Sequence, residues 1–212
     1  MRRPSPSAAA LSTALLLAIG APAIAQMPMS DALHGTGTPS DVQAGTYAIE
    51  PNHTQVTFSV SHMGISPFAG TFSGGSGSLT IDPTKPTAAT LTVTMPIASV
   101  QTTSAKLTEE LRSADWLDVA KFPTATFKST SVTRIGPDSA QIEGNLTLHG
   151  VTRPATIRAK LFGAGANPMS KKASVGFLGR MAIRRSQFGV TKYVPLVSDE
   201  TVLVINAAFE KQ

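Results

Sequence analysis

The chain has 212 residues, of which 15% are charged, and it contains no cysteine. The length is enough for one domain with a hydrophobic core of its own. The lack of cysteine excludes disulfides and cysteine-based metal or redox chemistry. The formal net charge is +5, but the basic pairs at 171–172 and 184–185 are isolated, which argues against nucleic-acid binding.

The N-terminus has the layout of a secretory signal peptide. Two arginines precede an apolar run at residues 8–18, and Ala-Ile-Ala at 23–25 is a small-x-small cleavage site. The alternative is an uncleaved membrane anchor, for which the run is short. We predict that residues 1–25 are removed, that the mature protein begins at Gln26, and that it is periplasmic. This removal takes away two arginines and no acidic residue, so the formal charge falls from +5 to +3.

The mature chain divides by composition into a leader and a folded domain. Residues 26–45 are rich in Gly, Pro, Ser, Thr and Asp and lack hydrophobic periodicity. This composition is typical of flexible segments. We predict a flexible leader over residues 26–45 and one folded domain over residues 46–212.

Alternating hydrophobic residues predict strands through most of this domain. In residues 55–63 the side chains of Val56, Phe58, Val60 and His62 fall on one face, and Gln, Thr and Ser fall on the other. Period-two alternation of β-branched and aromatic residues indicates a half-buried strand. Similar segments recur at 68–81, 90–95, 125–129, 141–148, 155–161, 174–185 and 201–209. About eight strands with turn-length connections and no β-α alternation exclude a parallel sheet.

One segment, residues 102–119, breaks this pattern. Leu107, Leu111 and Ala114 recur at helical spacing, which predicts one or two short helices inserted between strands. Trp116, just after them, would pack this insertion against the sheet. The insertion can be a lid over a pocket or a plug that covers core, and the spacing does not distinguish the two.

The predicted strands are consistent with an all-β barrel or a β-sandwich. Closure into a barrel satisfies the edges of antiparallel strands. At about eight strands the interior is either filled by side chains or holds one small ligand. Periodicity alone does not separate barrel from sandwich, or a hollow barrel from a solid one.

Several motifs, in order, resemble the YceI-like family of bacterial polyisoprenoid-binding proteins. The most distinctive is Gly-Asn-Leu-Thr-Leu-His-Gly-Val-Thr-Arg-Pro at 144–154. Others are Phe-Ser-Val-Ser-His at 58–62, Leu-Arg-Ser-Ala-Asp-Trp-Leu-Asp at 111–118, Phe-Pro-Thr-Ala-Thr-Phe at 122–127 and Arg-Ser-Gln-Phe-Gly at 185–189. The resemblance extends from Tyr47 to Phe209, which is nearly the whole predicted domain.

The resemblance implies a single lipocalin-like barrel of eight antiparallel strands with a short helical insertion. It implies an exported protein that holds a polyisoprenoid, such as a polyprenyl quinone or alcohol, in the lumen for transport or storage. It implies a homodimer and transient membrane contact, and neither a cofactor, a metal nor catalytic residues. The chain departs from the family pattern at Glu110, where His is frequent, and at Arg184, where Asn is frequent. Both positions would lie near a pocket mouth that receives the ligand head group.

The inward-facing apolar residues and a few residues at the mouth are the candidate ligand contacts. They are Val56, Phe58, Val60, His62, Phe72, Leu91, Val93, Met95, Leu111, Trp116, Phe127, Leu146, Ile157, Phe177, Ile183 and Arg185. His62 either caps the inner face of its strand or contacts a head group. An unpaired guanidinium inside a barrel is costly, so we expect Arg185 to pair with Asp199, Glu200 or a ligand oxygen, with an ion pair favoured.

Two other classes of function remain as alternatives. An enzyme acting on an isoprenoid or similar apolar substrate would use His62 or Arg185 near the reacting group, although the chain has no G-x-S-x-G nucleophile motif. A solid-core barrel would serve as a stress or interaction module. A metal site is not predicted, because the four histidines are not spaced three or four residues apart.

Overall fold

The structure, a computed structural model, describes residues 35–212. The predicted signal peptide and residues 26–34 of the predicted leader lie outside the described residues. The strands are β1 Gly45–Ile49, β2 Gln55–His62, β3 Ser66–Ser73, β4 Ser76–Ile81, β5 Thr90–Pro96, β6 Gln101–Thr102, β7 Thr124–Arg134, β8 Ser139–Leu148, β9 Val151–Ala166, β10 Ala173–Arg184 and β11 Glu200–Lys211. The α-helix of the described residues is α1, Ala105–Arg112, and short 3-10 helices lie at Pro39–Asp41, Pro86–Ala88, Ile97–Ser99 and Arg185–Phe188.

Antiparallel pairing closes the sheet into a barrel. Eight strands form a ring in the order β1, β4, β5, β7, β8, β9, β10, β11, and β11 pairs back onto β1. Closure leaves no free edge in this ring. The prediction of an eight-stranded antiparallel barrel is therefore confirmed, and the sandwich alternative is wrong.

The last strand, β11, completes the ring because the edge that faces away from β10 pairs with two strands. Its C-terminal part pairs with β1, with Phe209 opposite Ile49. Its N-terminal part pairs with β2, with Leu203 opposite Phe58. Strands β1 and β2 thus act as one bent strand along β11. Strands β3 and β4 form a second bent strand beside the first, because β3 pairs with β2 and β4 pairs with β1.

A run of glycines makes the bend between β3 and β4. Gly74 and Gly77 have φ of +69° and +144°, a region that residues with a Cβ rarely adopt. A Cβ on Gly75 would lie 2.9 Å from Cε of Met95. This bend lets one segment of chain serve both ends of the barrel.

The strand directions give the barrel two different ends. The upper end carries the β2–β3 turn, the insertion that follows β5 and the loop between β10 and β11, at residues 63–65, 97–123 and 185–199. The lower end carries the short connections at residues 82–89, 135–138 and 167–172. The two longest connections therefore lie at the upper opening, which also carries the short β8–β9 turn at residues 149–150.

The helical insertion begins and ends with local capping. The Ser104 hydroxyl accepts a hydrogen bond of 3.4 Å from the Leu107 N–H at the N-terminus of α1, as Ser does at helix starts. The helix ends at Arg112, so Ala114, which the spacing placed on the helix, lies beyond it. The insertion therefore contains one short α-helix, which confirms the prediction of one or two. No helix within residues 35–212 has the length and apolar character needed to cross a bilayer.

Residues 36–43, which we call the strap, contact the lower end of the barrel. Thr36 pairs with Ala164 of β9 through N–H···O bonds of 3.0 and 2.8 Å. Val42 is 6% exposed and belongs to a hydrophobic cluster with Tyr47 and Phe209. Residues 36–43 of the predicted flexible leader therefore pack against the barrel. A single bridge and a single buried valine produce no hydrophobic period, so the composition did not indicate them.

Candidate ligand-binding site

The barrel encloses one large cavity with a volume of about 680 Å³. This lies within the usual range of small-molecule sites, about 300–1,000 Å³. Alternate residues of each strand supply its wall. From β11 these are Thr201, Leu203, Ile205, Ala207 and Phe209, and from β10 they are Phe177, Gly179, Met181, Ile183 and then Arg185 just after the strand.

Small residues keep the middle of the lumen open. Gly179, Ala159 and Ala207 take inward positions in three neighbouring strands, where larger side chains would fill the space. Gly179 is already close to its neighbours, since a Cβ there would lie 3.1 Å from Cβ of Ile205 and 3.3 Å from Cγ2 of Ile157. Ala159 and Ala207 therefore leave lumen volume that larger side chains would fill, while Gly179 lets Ile157 and Ile205 pack closely.

Large apolar side chains pack the wall around this space. Phe127, Leu146 and Ile157 are buried in one cluster that continues across β7, β8 and β9. The rings of Phe177 and Phe209 meet edge to face, with centroids 6.2 Å apart. Such aromatic pairs add about 0.5–1.5 kcal/mol beyond the area that they bury. The lumen is therefore an open space that closely packed apolar side chains surround.

Every residue that the sequence identified as a candidate ligand contact lines this cavity. They are Val56, Phe58, Val60, His62, Phe72, Leu91, Val93, Met95, Leu111, Trp116, Phe127, Leu146, Ile157, Phe177, Ile183 and Arg185. These residues come from β2, β3, β5 and β7 to β10, with Leu111 and Trp116 from the helical insertion and Arg185 just after β10. Contact of these residues with a ligand stays a prediction.

Trp116 lies where the two long upper connections meet. Its Nε1–H donates a 3.1 Å hydrogen bond to Oε1 of Glu110. Its ring meets the ring of Tyr193 at 6.0 Å and lies 5.4 Å from Cζ of Arg185. The helical insertion and the β10–β11 loop are therefore joined across the mouth by one tryptophan.

A lysine reinforces the same junction. Nζ of Lys192 lies 2.7 Å from Oδ2 of Asp115 and 3.9 Å from Oε1 of Glu110. The hydrogen bond to Asp115 raises the pKa of Lys192 above its ordinary value, with a further contribution from the charge of Glu110. Glu110, one of the two departures from the family pattern, lines the cavity. The other departure, Arg184, is exposed and does not line it, so only Glu110 of the two lines the cavity.

Arg185 is buried at the mouth and is held by backbone carbonyl groups. It is 6% exposed. Its Nε donates to the oxygen of Ser198 at 2.9 Å, Nη1 to that of Val190 at 2.9 Å and Nη2 to that of Val197 at 2.7 Å. These bonds tie the loop of residues 190–198 to the end of β10.

The predicted ion pair of Arg185 with Asp199 or Glu200 is wrong. No ion pair within residues 35–212 includes Arg185. Asp199 instead accepts 2.8 Å hydrogen bonds from the backbone N–H and the hydroxyl of Ser186, which lower the pKa of Asp199. Burial lowers the pKa of Arg185, while the charge of Asp199 opposes that shift from a distance. An arginine remains protonated at any ordinary pH, so the mouth carries a buried cation.

Thr201 is a polar residue of the lumen that the sequence reasoning missed. It is 8% exposed and lines the cavity, and its Oγ1 has no hydrogen-bond partner within residues 35–212. Arg185 lies near it, because Ile183, two residues before Arg185, is the β10 partner of Thr201. The guanidinium of Arg185 has five N–H donors. Its hydrogen bonds to the three carbonyl groups use three of these donors, so two remain. The alternation of β11 could have revealed this residue, since Thr201 is in phase with Leu203 and Phe209.

His62 lies at the rim of the upper mouth. It lines the cavity but is exposed, and its backbone pairs with Val197. Its ring makes no hydrogen bond within the described part of the chain. In residues 35–212 no three His, Asp or Glu side chains are grouped as metal ligands would be.

The comparison with family models decides the family. The model described as YceI-like domain matches residues 47–209. The chain belongs to the YceI-like family. A UPF0312 protein of Azotobacter vinelandii is 38% identical over 191 residues, covering 89% of this chain and 97% of that protein. Protein YceI of Salmonella arizonae is 42% identical over 171 residues, covering 80% of this chain and 88% of that protein.

Solved structures with YceI-like barrels match the fold. Burkholderia cenocepacia BcnA has a TM-score of 0.68 at 24% identity, covering 76% of this chain and 98% of that chain. The Campylobacter jejuni YceI protein has a TM-score of 0.62 at 27% identity, covering 72% of this chain and 90% of that chain. A polyisoprenoid binding domain from Saccharophagus degradans has a TM-score of 0.61 at 13% identity, covering 80% of this chain and all of that chain (100%). BcnA and the Saccharophagus domain, both below 25% identity, show the shared fold alone.

We predict that Arg185 is needed to hold the upper loop, whereas its neighbour Arg184 is not. Replacing Arg185 by Met leaves three carbonyl groups without their donor, that of Val190 in a buried bond and those of Val197 and Ser198 in partly buried bonds, and an unsatisfied buried group costs about 1–3 kcal/mol. The free energy of unfolding in urea should therefore fall by about 3 kcal/mol or more. Arg184→Met removes an exposed charge of the same size and should change it by less than about 0.5 kcal/mol. Equal losses in the two variants would contradict this assignment.

Proposed function

We propose that this YceI-like protein holds the tail of a polyisoprenoid, such as a polyprenyl quinone or alcohol, in its barrel lumen as an exported carrier or store. The observation that carries the proposal is the apolar cavity, whose lining extends from His62 at the upper end to Phe209 near the lower end. Each methylene moved from water into such a site contributes about 0.8 kcal/mol. A long hydrocarbon tail can therefore bind with few polar contacts.

The polar groups of the lumen support one orientation of this ligand. The buried donors of Arg185 and the hydroxyl of Thr201 lie at the upper end, while the polar residues that line the lower end, Arg134, Asp138 and Ser139, are exposed or half-buried. Buried polar groups are stabilised by a hydrogen-bond partner. An oxygen-bearing head group at the upper mouth supplies that partner, and the tail then occupies the lower lumen. The fold shared with a polyisoprenoid binding domain supports the class of ligand.

The alternative functions have less support. A solid-core module does not fit a lumen with about 680 Å³ of open volume. An enzyme would need a base or nucleophile oriented by a partner. His62 has no partner for its ring within residues 35–212, and Arg185 is engaged by three carbonyl groups. Binding without turnover is therefore the function that the site supports best, and the proposal includes no cofactor.

The first test measures uptake of a polyprenyl quinone after blocking the lumen. Trp116 is the only tryptophan of the chain and lines the mouth, so its fluorescence should be quenched by a bound quinone. We predict that Ala159→Phe, which fills the middle of the lumen, weakens binding at least about tenfold.

The matched control is Ala182→Phe, which adds the same group on the outer face of β10 and should bind like the wild type. Thermal unfolding followed by circular dichroism verifies that both variants fold. Absence of saturable quenching and of extractable isoprenoid in the wild type would refute the proposed function. Lipid recovered in chemically altered form would favour the enzyme.

Exposed apolar side chains around the mouth support transient contact with a lipid bilayer. Ile65 in the β2–β3 turn is 84% exposed and Leu196 in the β10–β11 loop is 59% exposed. The two segments touch, because the Met63 N–H donates to the Leu196 oxygen at 2.6 Å. We name this group the rim: Met63, Ile65, Leu107, Tyr193, Val194 and Leu196. Tyr193 and Leu107 also line the cavity, so a bilayer seated on the rim would give the tail an apolar path into the lumen.

We predict that the rim controls the rate of transfer to membranes. Substituting Ile65 and Leu196 together by Ser should slow transfer of a bound polyprenyl quinone to neutral phosphatidylcholine vesicles about tenfold, because less apolar area enters the bilayer. Affinity in solution should stay near the wild-type value. Phe162→Ser removes an exposed ring from the outer face of β9 and is the matched control. Transfer rates equal to the control would count against bilayer contact at the rim.

Export is part of the proposal and has its own measurement. When the full chain is produced in a Gram-negative host, the intact mass of the purified protein should correspond to a chain that begins at Gln26, and the protein should be in the periplasmic fraction. A mass that retains residues 1–25 would contradict cleavage at this site. The homodimer implied by the family resemblance stays a prediction.

A further inference from the structure

The strap supplies part of the cavity wall at the lower end. Pro39 and Val42 line the cavity, and Val42 packs in the same cluster as Tyr47, Leu161 and Phe209. These residues belong to a segment that precedes β1 and is not a strand of the barrel ring. The lower boundary of the lumen is therefore built partly from chain outside the barrel.

Several specific contacts hold the strap in place. Thr36 is bridged to Ala164 of β9. The hydroxyl of Tyr47 donates a 2.7 Å hydrogen bond to the Gln43 carbonyl, and Nζ of Lys211 lies 3.4 Å from Oε1 of Gln43. Tyr47 itself is almost completely buried, and it does not line the cavity. It therefore acts beneath the lumen as an anchor for the strap.

The strap also lies outside the part of the chain that identifies the family. The family model matches residues 47–209, so the strap ends just before the match begins.

We propose that the strap is a stop that sets the longest isoprenoid tail the lumen accepts. This inference rests on the proposed function, in which the head group lies at the upper mouth and the tail extends downward. The free end of the tail then meets Val42 and Pro39. A closely packed wall moves little to accommodate an additional group. A tail with one more isoprene unit must displace the strap or leave part of its length outside the lumen. Either change lowers its affinity relative to the tail that fits.

Two variants of the full chain test this by moving or loosening the stop. Val42→Ala removes methyl groups from the lower wall, and Tyr47→Phe removes the hydroxyl that anchors Gln43. The probe is a mixture of polyprenyl quinones that differ only in the number of isoprene units, and native mass spectrometry reads which members are bound. Both variants should shift the preferred tail to a longer member and change the ratio between adjacent lengths about tenfold.

Val175→Ala is the matched control. Val175 is buried in the same hydrophobic cluster as Val42 but does not line the cavity, so the same substitution there should cost stability and leave the length preference unchanged. If all four proteins prefer the same tail length, the strap is not a stop, although the carrier function stands. If the wild type binds no member of the mixture, the proposed function and this inference both fail. Circular dichroism of the Tyr47→Phe protein, the gentler variant, verifies that the barrel is intact.

Discussion

The two-part pairing of β11 is the interaction on which the rest of the molecule depends. One edge of this strand follows β10 from Glu200 to Glu210, and the other edge is shared between β2 and β1. Without that second edge the sheet would be open, and the alternate apolar residues of every strand would face water. Closure places one face of the sheet inside the barrel, so the apolar residues that alternate along each strand line the lumen.

Closure alone does not make a binding site, because a small barrel can also fill itself. Here Gly179, Ala159 and Ala207 occupy inward positions where larger residues would meet at the axis. An unfilled apolar cavity lowers stability roughly in proportion to its volume. A ligand that occupies it binds the folded state alone and so stabilises it by mass action. The same small residues therefore lower the stability of the empty barrel and leave space in which a ligand can bind and restore that stability.

The parts of this arrangement that were predictable from sequence are those that repeat. Alternation along 55–63 and 201–209 identified the inward face, because a period of two is a direct consequence of strand geometry. Single, non-repeating contacts were not predictable. The carbonyl groups that hold Arg185 come from a loop with no pattern, and reasoning from charge alone suggested a carboxylate partner. Likewise, Val42 is one buried residue in a segment rich in glycine and proline, so composition classified the whole segment as flexible.

The two ends of the barrel differ in a way that suits a lipid with a polar head and an apolar tail. At the upper end Arg185 and Thr201 are buried donors, and Trp116 joins two long connections around them. At the lower end Val42 and Phe209 close an apolar cluster over the anchor Tyr47. A buried guanidinium with spare donors favours an oxygen nearby, whereas the polar residues that line the lower end, Arg134, Asp138 and Ser139, are exposed or half-buried. The two ends therefore offer different surroundings to the polar and the apolar part of such a ligand.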